Sequence, residues 1–215
     1  LTTRRQNGDE GLASGAALVL LDSTTGKETE RLATLPRTAD LPLALVDETG
    51  KWAVASTTEG KEFTLVDLSA RKAVVRKGHD SVIRAVGFVP GGKRLITCNA
   101  EATLRVWEHG IDRPVKVFKS RDRTKRETAQ EIRVSADGRW AAVSTSDEGG
   151  LTWVWDLTTG REVASYAGAE RVVFSPDGQM LAIHLTGSAK LNASPEDKPT
   201  AHRVKLVPVR DWETR

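Results

Sequence analysis

The side chains in this chain that could do chemistry are few and dispersed. Four histidines stand at His79, His109, His184 and His202, and the single cysteine is Cys98. An imidazole beside a thiol would suit nucleophilic catalysis, and several imidazoles converging on one point would suit a transition metal. Each histidine falls at a different place in the local sequence pattern, and no nucleotide-binding glycine motif, Cys-x-x-Cys or His-Glu-x-x-His is present. The residues therefore imply neither a cofactor nor a metal. Three aspartates at regular intervals, Asp22, Asp67 and Asp156, invite an acid/base reading. Each, however, opens a turn-forming run, where a carboxylate accepts backbone N–H bonds. Cys98 lies in a β-branched run and reads as a small buried hydrophobe; one cysteine permits no internal disulfide.

The elements that would position these groups repeat along the chain. Trp155-Asp156-Leu157-Thr158-Thr159-Gly160 closely copies Leu21-Asp22-Ser23-Thr24-Thr25-Gly26, with weaker copies at Val66-Asp67-Leu68, Val106-Trp107-Glu108 and Val207-Pro208-Val209. A second series is locked in phase with it, its turn glycines Gly50, Gly92, Gly138 and Gly178 spaced 42, 46 and 40 residues apart. Both periods match four-stranded repeat units of ~40–45 residues. Within a unit, Ile83 to Phe88, Arg94 to Cys98, Thr103 to Trp107 and Pro114 to Phe118 read as four short strands with turn residues between them. No apolar stripe of helical period is sustained for three turns, which predicts an all-β chain almost without helix.

These residues resemble the WD40 family of β-propellers, over about residues 12–215. The Trp-Asp dipeptide stands intact at 155–156, Trp107-Glu108 departs from it conservatively, and the Gly-His dipeptide occurs once, as Gly78-His79. The resemblance implies a buried hydrogen-bonded chain in the third repeat, assigned by position to His79, Thr97, Glu101 and Trp107. It also implies turn-forming roles for Asp22, Asp67 and Asp156. Trp52 and Trp140, two residues after their turn glycines, are expected to pack between repeats.

Residues 1–11 read as a polar tail or linker, followed by repeats at about 12–38, 39–80, 81–127, 128–170 and 171–215. That amounts to about four and a half four-stranded blades. The expectation is an open arc of a larger propeller, its remaining blades supplied by missing sequence or another chain. The alternative is a four-bladed ring in which 171–184 and 17–32 form one composite blade. Residues 211–215 are expected to begin a fourth strand.

Function then falls to surfaces. The connection at 119–127 is enlarged and basic: Lys119, Arg121, Arg123, Lys125 and Arg126 against two acidic residues. The resemblance implies that the second-to-third-strand loops share its face, and these carry Glu59, Glu101, Asp147 and Glu148. A guanidinium cluster suits an acidic or phosphate-bearing partner. A second elaboration, 186–201, reads as a flexible insertion. The balance of 32 basic and 29 acidic residues, net charge +3, gives no general case for nucleic acid. No apolar run approaches the ~20 residues of a membrane span, and cysteine usage fits a cytoplasmic protein. Because residue 1 is Leu, what precedes it stays open. The reading is a non-enzymatic scaffold that binds a protein or peptide through its loop face. The alternative is a small-molecule-binding or hydrolytic propeller working with channel-lining residues.

Overall fold

The structure is a computed structural model that describes residues 2–5, 16–35, 43–56, 60–119, 129–145, 150–185 and 203–212. It contains five antiparallel sheets, each built from strands consecutive in the chain. The first comprises β1 (Thr2–Arg5), β2 (Ala16–Leu21) and β3 (Glu28–Leu35). The second is β4 (Leu43–Val46), β5 (Trp52–Ser56), β6 (Glu62–Asp67) and β7 (Lys72–Lys77). The third is β8 (Ile83–Val89), β9 (Arg94–Asn99), β10 (Thr103–Glu108) and β11 (Lys116–Lys119). The fourth is β12 (Ala129–Val134), β13 (Trp140–Thr145), β14 (Leu151–Asp156) and β15 (Arg161–Ala167). The fifth is β16 (Ala169–Phe174), β17 (Met180–Leu185) and β18 (Arg203–Pro208), after which the chain enters a 3-10 helix, Val209–Trp212.

The first strands of successive sheets pack together, β4 on β8, β8 on β12 and β12 on β16, while β3 lies against β6 and β7. The sheets therefore follow one another as blades, the arrangement of a β-propeller, and no sheet is a closed barrel. Strand alternation explains the core. In the third blade one side chain in two points to each neighbour: Val86, Leu95 and Trp107 meet Val54, Phe63 and Leu65 of the second blade, while Ile96, Cys98, Leu104 and Val106 meet Ile132, Ala141, Val143 and Trp155 of the fourth. Blades buried on both faces need apolar residues at both parities, which is why their strands read as near-continuous hydrophobic runs.

Turns close each blade as the sequence predicts. Gly50, Gly92, Gly138 and Gly178 all take positive φ. Gly160 does so too (φ 73°), and a Cβ there would sit 2.7 Å from the Phe118 ring of the preceding blade. The repeated Thr-Thr-Gly turn thus doubles as a contact between blades. Lys116 reinforces it, its ammonium donating to the carbonyls of Leu157 and Thr158 at 2.9 and 3.0 Å.

Two expectations are corrected and one alternative is excluded. Thr2–Arg5, read as part of a polar tail, pairs through its backbone with Val19 to Ala16 as an edge strand; ladder bonds are backbone bonds, and polar composition does not forbid them. The composite blade does not form, because β16 and β17 pair with each other and with β18, while β2 pairs with β1 and β3. In place of a starting strand at 211–215, the 3-10 helix delivers Trp212, 2% exposed, onto Trp140 at a ring separation of 5.4 Å. Residues 213–215 lie outside the described residues.

Candidate functional site

A buried polar cluster sits in the third blade, on the face turned toward the second. Thr97 on β9 and Trp107 on β10 share that face, and the loop before β8 brings His79 over them. Trp107 Nε1 donates to Thr97 Oγ1 at 2.8 Å, and His79 Nε2 lies 2.5 Å from the same oxygen. His79 Nδ1 lies 2.7 Å from an Arg105 guanidinium nitrogen. Guanidinium only donates, so Nδ1 accepts and the proton of the neutral ring sits on Nε2, pointing at Thr97. Arg105 continues to Asp80 at 3.1 Å, where the chain of bonds reaches solvent. Burial, then the Arg105 charge, depresses the His79 pKa to about 4 from 6.5, so the ring is neutral at physiological pH. This cluster ties β9, β10 and the loop before β8 together and holds His79 at both ring nitrogens.

Three of the four residues assigned to this chain from sequence are brought together, and Glu101 is not. The Asn99 side-chain carbonyl accepts from the Glu101 and Thr103 amides at 3.1 and 2.9 Å, and Ala102 takes positive φ (52°). That tight turn leaves Glu101 exposed on the loop. Arg105 does the work given to Glu101, and it was missed. Alternation from Thr103 puts Arg105 on the same inward face as Trp107, and a charged residue there needs a partner.

The fourth blade solves the same position without polar groups. Val143 stands where the third blade has Thr97, and Trp153 where it has Arg105. Trp155 Nε1 consequently has no hydrogen-bond partner among the described residues.

The repeated aspartates are turn-formers. Asp22 accepts from the Thr24 and Thr25 amides, Asp67 from Ala70, and Asp156 from Thr158 and Thr159. Burial would raise the Asp156 pKa, but those amides together with Arg139 outweigh it and hold the carboxyl below the usual range. Asp47 behaves alike: the Thr49 hydroxyl and the Trp52, Thr49 and Lys51 amides outweigh its burial. Cys98 is fully buried, and burial pushes its thiol up to about 12. Trp140 packs between the fourth and fifth blades, against Trp212; Trp52 reaches the third blade, its ring 3.9 Å from His109.

On the loop face Lys119 is exposed at the end of β11 and Glu101 on its turn. Arg121, Arg123, Lys125, Arg126, Glu59, Asp147 and Glu148 lie outside the described residues. No group of three or more His, Cys, Asp or Glu that could hold a metal occurs among the described residues. A groove of about 250 Å³ opens where β4, β8 and β12 end, its lining including Leu45, Gly87, Phe88 and Ile132.

Sheets in blade order define a β-propeller, and the Trp–Thr–His chain with aspartate-led outer turns is similar to what WD40-type propellers carry. The family model described as "WD domain, G-beta repeat" matches residues 71–108, a stretch from the outer strand of the second blade to the end of β10 in the third. The chain is 28% identical over 179 residues to the nuclear distribution protein nudF of Aspergillus niger, covering 77% of this chain and 38% of that protein. It is also 28% identical over 79 residues to the nuclear distribution protein PAC1 of Yarrowia lipolytica, covering 37% of this chain and 18% of that one. The chain thus spans well under half the length of these relatives. Among solved structures, Kuenenia stuttgartiensis hydrazine synthase superposes with a TM-score of 0.65 at 16% identity, over 91% of this chain and 57% of its own, a likeness of fold alone.

Proposed function

We propose that this chain is a non-enzymatic scaffold that binds a protein or peptide partner through the loop face of its blades. One observation carries the reading: the described side chains best suited to chemistry are consumed by the scaffold. His79 is locked between Thr97 and Arg105, Cys98 is sealed in the core, and Asp22, Asp47 and Asp156 each hold a turn. The names of the two curated relatives speak of nuclear distribution and of no reaction. What remains for function is loop surface, where rigid scaffolds place recognition.

Within that face the basic connection Lys119, Arg121, Arg123, Lys125 and Arg126 is the docking element. Its chemistry fits an acidic or phosphorylated peptide, with Glu101, Asp147 and Glu148 setting register by repelling acidic residues placed wrongly. The test is an array of acidic, phosphorylated and neutral peptides probed with the wild-type chain and with R121E/R123E/R126E at low salt. Selective retention of acidic peptides that the triple variant loses supports the reading. Equal retention by both proteins rejects it. Hydrolytic activity on a substrate panel, lost on altering residues around the Gly87 groove, would favour the channel-site alternative instead.

A further inference from the structure

The outer strand of the second blade differs from its counterparts at one position. Val54, Ile96 and Ala142 each stand four residues after a turn glycine, Gly50, Gly92 and Gly138. They pair with Leu65, Val106 and Val154 on the third strands. Two residues earlier on those strands, Phe63, Leu104 and Thr152 pair with Arg76, Phe118 and Tyr166 on the fourth. Phe118 closes the rim of the third blade by stacking on Trp155 of the fourth, ring centroids 6.0 Å apart. The Tyr166 hydroxyl accepts from Trp212 Nε1 at 3.2 Å, which joins the fourth blade to the chain beyond it. The second blade places a guanidinium where these two place an aromatic ring.

Arg76 is buried, its side chain 8% exposed, yet among the described residues it donates one side-chain hydrogen bond, to Asp112 before β11. That aspartate side chain is 91% exposed. Arg105, the other guanidinium entering this interface, has both His79 and Asp80 as partners. Burying a charge is costly, and a carboxylate that stays in water offsets little of the cost. Apolar replacement of such a pair is often neutral or stabilising, and Phe118 shows that an aromatic fits the equivalent place. Stability therefore does not account for Arg76. The rim beside it is apolar and open. Val117 pairs with Arg105 and so shares its face, toward the second blade. It is 46% exposed, and Val115 and Ile111, on the connection that carries Asp112, are 39% and 37% exposed.

We propose that this rim, between the second and third blades, binds a segment of a partner protein in which one aspartate or glutamate is flanked by aliphatic residues. The partner's carboxylate takes the Arg76 guanidinium in place of Asp112, and its aliphatic residues cover Ile111, Val115 and Val117. Charge selects the occupant. Arg76 supplies one positive charge, which a carboxylate neutralises and a phosphate dianion exceeds. The planar fork of a guanidinium also matches a carboxylate in two parallel bonds, and Asp112 shows that one fits here. Asp112 is then a built-in competitor that the partner displaces. The site uses none of the arginines of the basic connection, so either assignment can fail alone.

Fluorescence anisotropy tests it with labelled peptides that carry Asp or Glu between leucines and valines. Each is compared with its Asn or Gln counterpart and with a phosphoserine version. Wild type should prefer the carboxylate peptides. D112A changes an exposed side chain and frees the guanidinium, so it should bind them about tenfold more tightly, as expected for one charged hydrogen-bonding partner released. R76F, which installs the third blade's aromatic, should lose the preference. V117E, at an exposed position that leaves the core alone, should lose it too. R121E/R123E/R126E should leave it unchanged. Equal binding of carboxylate and amide peptides, no gain in D112A, or a preference kept by R76F and V117E would overturn the proposal. Tighter binding of the phosphoserine peptides would overturn it as well, because the occupant would then be a phosphorylated segment.

Discussion

Replacing Thr97 by Val keeps the side chain's shape and removes one oxygen. That oxygen serves Trp107 Nε1 at 2.8 Å and His79 Nε2 at 2.5 Å, in a site where Thr97 is 0%, Trp107 2% and His79 6% exposed. Water cannot replace it without opening the blade interface. Nor can the imidazole escape by switching tautomer, since Nδ1 already accepts from Arg105. Each buried donor left without a partner costs about 1–3 kcal/mol, and the added methyl returns part of that, so T97V is expected to lose about 2–4 kcal/mol. Thr97→Ser keeps the oxygen, gives up one methyl and should lose about 1 kcal/mol. Urea titrations followed by tryptophan fluorescence, with m compared among variants, measure both. The fourth blade supplies the converse test. Val143→Thr offers Trp155 Nε1 the acceptor it lacks and should stabilise by up to about 1 kcal/mol. A T97V protein within about 0.5 kcal/mol of wild type, or less destabilised than T97S, would refute the polar chain as a source of stability.

Other expectations follow from the same contacts. His79 titrates near 4 when folded and near 6.5 when unfolded, so between those values the unfolded chain binds a proton that the folded chain refuses. Stability should therefore fall as pH drops from 6.5 to 4, by no more than about 3.5 kcal/mol at ~1.4 kcal/mol per pH unit. Wild type against H79Q isolates this slope. The Asp47 and Asp156 carboxyls titrate below their ordinary range, so their contribution is present above it and lost only at lower pH still. Trp212→Ala removes a ring held by Trp140, by Phe174 and by a 3.2 Å bond to the Tyr166 hydroxyl, and should cost about 3–5 kcal/mol. Hydrogen exchange should quicken in β16–β18 first, and unchanged exchange there would contradict the anchoring role. Asp156→Ala frees the Thr158 and Thr159 amides and should cost about 1–2 kcal/mol in calorimetry, with Asp156→Asn intermediate.

The blades were legible because strand alternation and turn chemistry are local. Gly138 and Gly178 needed only their Asp-Gly context, and Asp156 only its place before Thr-Thr-Gly. His79, Thr97 and Trp107 were legible as a set because the repeat phase placed them. Glu101 was not, since its direction is decided by the Asn99 turn, which acts at one-residue precision where the repeat phase has none. Arg105 shows an avoidable miss: strand parity already turned it inward beside Trp107. Trp212 could not have been read, because its docking depends on Trp140 and Tyr166, 72 and 46 residues away, and no local pattern encodes that contact. The loop face is legible only as charge, since composition gives the chemistry of a partner and not its shape.

Binding affinity as a function of salt bears most directly on the scaffold reading. An acidic or phosphorylated peptide retained by the wild-type chain should bind with an affinity that falls as salt rises, since surface charges are screened within ~10 Å at 0.1 M. R121E/R123E/R126E should weaken that binding at least tenfold while leaving the melting temperature unchanged. Salt-independent binding, or affinity equal to wild type in the triple variant, would contradict it.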